Sequence, residues 1–205
     1  MKAMKMSEQF VIFDTEYASW QGFIDLALDD PLRKTAEIVQ IAALKINLND
    51  LSVKEEFNCY IKPHFKPKLS DYFIELTGIS DELLDEKGVD FLSAFKHFCG
   101  FADGLVCYSH AWGQKYADEV VIKNNLELFG CDTHLNLDFR NIAPWFEAQY
   151  RKRGMNIAKQ SSGQICKILD TKRELSSLNL DEHNALFDVY SLLSGLRCLG
   201  FSSFF

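Results

Sequence analysis

The chain has 205 residues, 47% hydrophobic and 25% charged, which is enough for one well-buried domain and short for two, so a single domain over 1–205 is expected. A net charge of −7 argues against a protein that coats long nucleic acid by bulk electrostatics. No stretch approaches the ~18 apolar residues of a membrane span, and the start MKAMKMSEQ lacks the apolar core of a signal peptide, so a cytoplasmic protein with no membrane partner is expected.

The six cysteines, at 59, 99, 107, 131, 166 and 198, lie far apart without a C-x-x-C pair, which disfavours a zinc site or a disulfide framework. They read as reduced thiols.

Phe10-Val-Ile-Phe13 is a short apolar run of the kind that forms a buried strand, and it leads directly into Asp14-Thr-Glu-Tyr17. Ala18 to Lys34 has no clear period and reads as a long loop or short irregular helix near the end of that strand. Glu37–Ile46 (EIVQIAALKI) and Val53–Ile61 are two further strands, ended by Pro63 and Pro67. From Ser70 the pattern becomes helical, with Ser70 and Ser80 as N-caps and Gly78 and Gly88 as breakers.

Gly104–Tyr108 is a fourth strand, 115–129 a helix closed by Gly130, and Leu135–Leu137 a fifth strand before a helix from Asn141 to Arg153. A basic loop follows, with seven Lys or Arg against Asp170 alone between Arg151 and Arg173, a net +6 against −13 for the remainder. Two more helices end the chain, the last over Asn184–Leu199. Strands first and then strands alternating with helices indicate an α/β fold, a mixed sheet with the first strand central because its run is so uniformly apolar.

Several acidic residues stand in unexpected places. Side chains i and i+2 of a strand share a face, so Asp14 and Glu16 project together, an arrangement that needs full solvation or a cation between them. Asp188 falls on the apolar stripe of the last helix, in step with Ala185, Leu192 and Leu196, where a carboxylate needs a partner. His183 and Asp188 would point about 140° apart on one continuous helix, so they meet only if His183 precedes the first turn.

On the helix after strand four, Asp118 is in register with Val121, Ile122 and Asn125, whereas Glu119 has Lys123 at i+4. Asp118 is therefore assigned to the site and Glu119 to solvent. His110, at the end of strand four, reads as a structural histidine.

Taken in order, FDTE at 13–16, EIVQIAAL at 37–44, LTGIS at 76–80, the Asp118 helix and HNALFD at 183–188 resemble the DEDDh (DnaQ-like) 3′-5′ exonucleases of the ribonuclease H-like fold. The resemblance implies a mixed five-stranded sheet flanked by helices. It also implies an enzyme that removes nucleotides from the 3′ end of single-stranded or 3′-overhang RNA or DNA as nucleoside 5′-monophosphates, with RNA slightly favoured.

The family pattern carries over to Asp14, Glu16, Asp118 and Asp188 as ligands of two divalent cations, Mg²⁺ or Mn²⁺, and to His183 as the base that takes the proton of the attacking water. Thr15, Tyr17, Leu76 and Trp112 are the substrate-binding candidates by the same analogy. Trp20, Phe23 and Phe73 are further stacking candidates, and the basic segment is a guide for the phosphate backbone. The second motif departs from the family pattern, with more residues from Cys107 to Asp118 than many relatives have, and its Trp112-Gly113 resembles the branch that trims histone mRNA and small RNAs. The apolar end Phe201–Phe205 is a candidate docking element or homodimer contact, the alternative being that it packs back on its own domain.

Overall fold

The computed structural model describes residues 8–27, 30–66, 68–111, 117–132, 137–157 and 159–201. Five strands form one sheet in the order β3-β2-β1-β4-β5, with β1 (Gln9–Tyr17) in the middle as its apolar run requires. β2 (Ile38–Asn47) and β3 (Val53–Tyr60) form an antiparallel meander with β1, while β4 (Val106–Ser109) and β5 (Asp138–Asn141) run parallel to it. This is the expected mixed α/β sheet of the ribonuclease H-like fold.

The alternation of β1 divides the core. Phe10 and Ile12 face one side, with Ala42 and Leu44 of β2, under α5 (Ala143–Lys152) and the C-terminal helix α7 (Ala185–Leu199). Val11 and Phe13 face the other, with Ile41 and Ala43, under α3 (Phe91–Ala102) and α4 (Ala117–Leu128). Leu192, Leu193 and Leu196 of α7 are fully buried, each worth about 1.5–3 kcal/mol, so α7 is firmly seated on β1 and β2.

The expected caps are present. Ser70 accepts from Phe73 N (3.1 Å) to start α1 (Asp71–Thr77), and Ser80 accepts from Leu83 N (3.2 Å) to start α2 (Asp81–Lys87). Gly78 ends α1 in the left-handed region (φ 72°), which a residue with a Cβ adopts only under strain. Glu37, just before β2, is buried and accepts from the backbone N–H groups of His64, Phe65 and Lys66, pinning the turn after Pro63.

Expected boundaries shift by one or two residues at most strands, and three differences matter more. The fifth strand is Asp138–Asn141 rather than 135–137, and residues 133–136 lie outside the described ones. As an edge strand it carries charge, and Asp138 and Arg140 pair with each other at 2.7 Å, so no apolar run marks it. The following helix begins at Ala143, with Pro144 in its first turn. The basic segment is not a loop throughout, since it holds the short helix α6 (Ile165–Ile168) and the start of a 3-10 turn (Lys172–Leu178).

The first connection, expected to be irregular, contains 3-10 turns at Phe23–Asp25 and Pro31–Thr35. All six cysteines are free. Phe201 packs back against Phe10 and Trp145, while residues 202–205 of the apolar end lie outside the described ones. Among the described residues no helix is long and apolar enough to cross a membrane.

Candidate active site

The same alternation that buries Phe10 and Ile12 carries Asp14 and Glu16 out on the α7 side of β1, where Asp188 arrives from the first turn of α7. Asp14, Glu16 and Asp188 each offer an oxygen within 4.8 Å of the others. The Ser162 hydroxyl lies 3.0 Å from Asp14 Oδ1 and 3.2 Å from Asp188 Oδ2. Asp188 Oδ1 is buried with no hydrogen-bond donor.

Electrostatics make this cluster costly in isolation. Burial pushes the Asp14 carboxyl well above its ordinary range, and repulsion from Asp118 and Asp188 adds to that. Glu16 is raised well above its range by burial and by Asp14. Asp188 is pushed up to about 7, chiefly by burial, against the opposing hydrogen bond from Ser162. Such a set of hard oxygens, short of donors, fits a divalent cation.

The N-terminus of α7 is held by Gln40, the polar residue of EIVQIAAL. Buried opposite Glu16 in the β1–β2 register, Gln40 accepts from Ala185 N (3.0 Å) and donates to Asn184 Oδ1 (3.3 Å), while Asn184 caps the helix through Leu186 N. His183 therefore precedes the helix, in the left-handed region at φ 67°, as its pairing with Asp188 requires. Its side chain is 38% exposed, with Nε2 3.8 Å from Glu182 Oε1. Partial burial lowers its pKa from the ordinary imidazole value, with Glu182 opposing.

Asp118 reaches the site from the other side. Asn125 ties α4 to the start of β2, accepting from Ile38 N (2.9 Å) and donating to Ala36 O (3.0 Å). Thr15, on the opposite face of β1 from Asp14, donates to Asp118 Oδ1 through its hydroxyl (2.8 Å) and its backbone N–H (3.2 Å). Burial raises the Asp118 carboxyl, and the bonds from Thr15 and Ser109 restrain it. Glu119 pairs with Lys123 on the helix surface, as the i+4 spacing indicates.

One cavity of about 720 Å³ joins these groups, lined by Asp14, Glu16, Asp118, His183 and Asp188 together with Thr15, Tyr17 and Leu76. Trp112 lies outside the described residues. Phe73 is core, and Phe23 is buried between Tyr17 and Trp20 at 5.5 and 5.0 Å, although both phenylalanines also reach the cavity wall.

His110, expected as a structural histidine, packs edge-on against Phe146 at 5.7 Å. It lines the cavity, buried, with neither ring nitrogen hydrogen-bonded, and burial lowers its pKa to about 4. The basic segment is partly neutralised, because Lys167 pairs with Glu182 and Lys172 with Asp181. Arg33 and Ser162 also line the cavity and escaped the sequence reading, the first because its segment has no period and the second because serine is common in loops.

The exonuclease family model matches residues 11–193. The chain is 32% identical over 85 residues to ERI1 exoribonuclease 2 of Xenopus laevis, covering 42% of this chain and 11% of that protein. It is 32% identical over 83 residues to the Drosophila melanogaster 3′-5′ exonuclease Snipper, covering 40% of this chain and 28% of that one. The matched stretches thus span less than a third of these relatives.

In fold the chain is similar to the nuclease domain of 3′hExo, a DEDDh family member bound to rAMP, at TM-score 0.69 and 18% identity over 95% of this chain and 94% of that one. With the family model running from the middle of β1 into α7, across every element that carries a site carboxylate, the chain belongs to the exonuclease family.

Proposed function

We propose that this chain is a metal-dependent 3′-5′ exonuclease acting on single-stranded or 3′-overhang nucleic acid, RNA ahead of DNA, and releasing nucleoside 5′-monophosphates. The observation that carries the reading is the trio Asp14, Glu16 and Asp188, three carboxylates packed within 4.8 Å with a buried Asp188 oxygen lacking any donor. The preference for RNA is supported by relatives named as exoribonucleases.

On this reading Asp14, Glu16, Asp118 and Asp188 hold two divalent cations, Mg²⁺ or Mn²⁺. What the cations supply when bound is neutralisation of the phosphodiester charge and activation of water. Asp14, Glu16 and Asp188 would hold a cation among their clustered oxygens, with Asp118 contributing from the other side of the cavity. Thr15 fixes the Asp118 carboxylate through two hydrogen bonds.

His183, outside the helix and with its pKa lowered by partial burial, accepts the proton of the attacking water at a ring nitrogen. The 3′-oxygen of the preceding nucleotide leaves and takes a proton from solvent, and the phosphate departs with the terminal nucleoside. Leu76, Thr15 and Tyr17 bound the space for that nucleoside.

The test uses oligonucleotides labelled at either end, RNA and DNA, single-stranded and with overhangs, with Mn²⁺ or Mg²⁺. The expected products are labelled mononucleotide from the 3′ label and a shortening ladder from the 5′ label. Asp14→Ala should reduce the rate by about 10³-fold or more, and chelation should abolish it. Tight binding without release, on every substrate, would make the chain a binding module instead.

A further inference from the structure

The charge of the cavity is lopsided. Asp14, Glu16, Asp118 and Asp188 line it, while Arg33 is the one Lys or Arg among its described lining residues. A nucleic-acid strand brings a negative charge with every phosphodiester, and cations held by the carboxylates answer only for the phosphate that reaches them.

Arg33 is built into the wall. Its Nε donates to Leu26 O (3.2 Å) and its Nη2 to Ile24 O (3.1 Å), and the guanidinium lies 5.0 Å over the Phe23 ring. Phe23 is itself clamped by Tyr17 and Trp20. The guanidinium is therefore oriented before any substrate arrives, while among the described residues Nη1 has no acceptor and Arg33 has no carboxylate partner. Ile24, 76% exposed, and Tyr72, 41% exposed, add apolar surface to the same cavity.

The geometry points to Arg33 as a specificity-determining residue whose guanidinium binds a phosphodiester other than the scissile one, favouring a polynucleotide 3′ end over a mononucleotide ester. This rests on the exonuclease reading above. Arg33 is tied to Ile24 and Leu26 of the first connection rather than to any of the four site carboxylates, which leaves it open to an anion of its own. When the last linkage is the one cut, every other phosphodiester lies on its 5′ side. On this proposal the strand leaves the carboxylates along the wall that carries Phe23, Ile24, Leu26 and Arg33. Preorganisation and the planar fork suit phosphate better than an ammonium would.

The experiment compares wild type, Arg33→Gln and Arg33→Lys on a DNA oligonucleotide and on the p-nitrophenyl ester of thymidine 5′-monophosphate, which has one diester only. Arg33→Gln is expected to lower kcat/KM on the oligonucleotide about tenfold, mainly through KM, with the ester unaffected and Arg33→Lys intermediate. A methylphosphonate scan should find one position that costs the wild type the same factor and Arg33→Gln nothing.

Equal losses on oligonucleotide and ester, or a scan with no position at which the two proteins differ, would overturn the proposal and leave Arg33 as a pin for its loop. Thermal melting of each variant separates that outcome from unfolding. If wild type cleaves neither the ester nor an oligonucleotide of DNA or RNA, the exonuclease reading is what has failed. Anisotropy of a labelled oligonucleotide in Ca²⁺ then reads Arg33 alone: about tenfold weaker binding of Arg33→Gln supports it, and unchanged binding overturns it.

Discussion

Helices α7 and α4 each deliver one buried carboxylate to β1, and they do so in opposite ways. Asp188 on α7 keeps one oxygen, Oδ1, without a hydrogen bond, and burial pushes its pKa up to about 7 against Ser162 and the nearby backbone N–H groups of His183 and Gly163. Asp118 on α4 is given donors, two from Thr15 and one from Ser109, which restrain the rise that burial imposes. A carboxylate short of donors is set up for a cation, and one supplied with donors is held in a direction. The contrast also shows in the backbone, because the α7 side needs Gly163 pressed against Asp188.

The largest effect expected from breaking this contrast is therefore at Gly163. A Cβ there would lie 2.4 Å from Asp188 Oδ1 and 2.7 Å from Glu182 Cγ, so Gly163→Ala must displace the Asp188 carboxylate, the Glu182 side chain, or both. A displacement of about 1 Å at a reacting centre can cost about 10²-fold, so kcat/KM should fall by about that factor while the melting curve stays cooperative. Unchanged activity would mean that the Asp188 position matters less than its burial suggests.

The next effect is on stability without metal. The Asp188 pKa is raised in the folded protein, so its contribution is fully present below about 4 and is lost as pH rises through about 7. Asp188→Asn cannot ionise, and should be more stable than wild type at pH 8 by on the order of 3 kcal/mol, several degrees in Tm, with the gap closing toward pH 5. Asp118→Asn should show a smaller gap, because donors already satisfy that carboxylate. Saturating Mn²⁺ should raise the wild-type Tm at pH 8 and erase the advantage of Asp188→Asn. Equal gaps for the two variants would dissolve the distinction between the helices.

Much of this site was legible in the sequence because it hangs on periodic elements. Asp14 and Glu16 follow an apolar strand at i and i+2, and Asp188 interrupts a helical stripe, so each is conspicuous against its pattern. Asp118 was separable from Glu119 by the Lys123 partner four residues on.

What was missed lies where side chains meet across long sequence distances without a period. Arg33 reaches the cavity from a segment of 3-10 turns, and Ser162 touches Asp14 across 148 residues. The basic run 151–173 drew attention by charge, yet two of its lysines are tied to Asp181 and Glu182, while Gln160, Ser161 and Ser162 of the same segment reach the cavity. Local charge density is visible in sequence, but its neutralisation by the following loop, which has no period, is not. The edge strand β5 escaped for a related reason, since its exposed Asp138 and Arg140 break the apolar pattern.

The smallest expected effect concerns the two hydroxyls that serve the carboxylates from opposite faces of β1. Ser162 stands between Asp14 and Asp188, but a hydroxyl has one proton and can donate to only one of them at a time. Removing it in Ser162→Ala leaves both carboxylates poorer in donors, so their repulsion rises and a cation meets less competition for their oxygens. The Mn²⁺ concentration for half-maximal activity at pH 8 should fall a few-fold, in keeping with about 1 kcal/mol for a hydrogen bond, while kcat at saturating Mn²⁺ changes little.

Thr15→Val deletes the 2.8 Å hydroxyl bond to Asp118 and leaves the backbone N–H bond at 3.2 Å, which loosens the direction of that carboxylate without stripping it of donors. Its effect should fall on kcat at saturating Mn²⁺, again by a few-fold, with the half-saturating concentration unchanged. If both variants moved the same parameter, supplying a cation site and aiming a ligand would not be the separate tasks that the two faces of β1 divide between them.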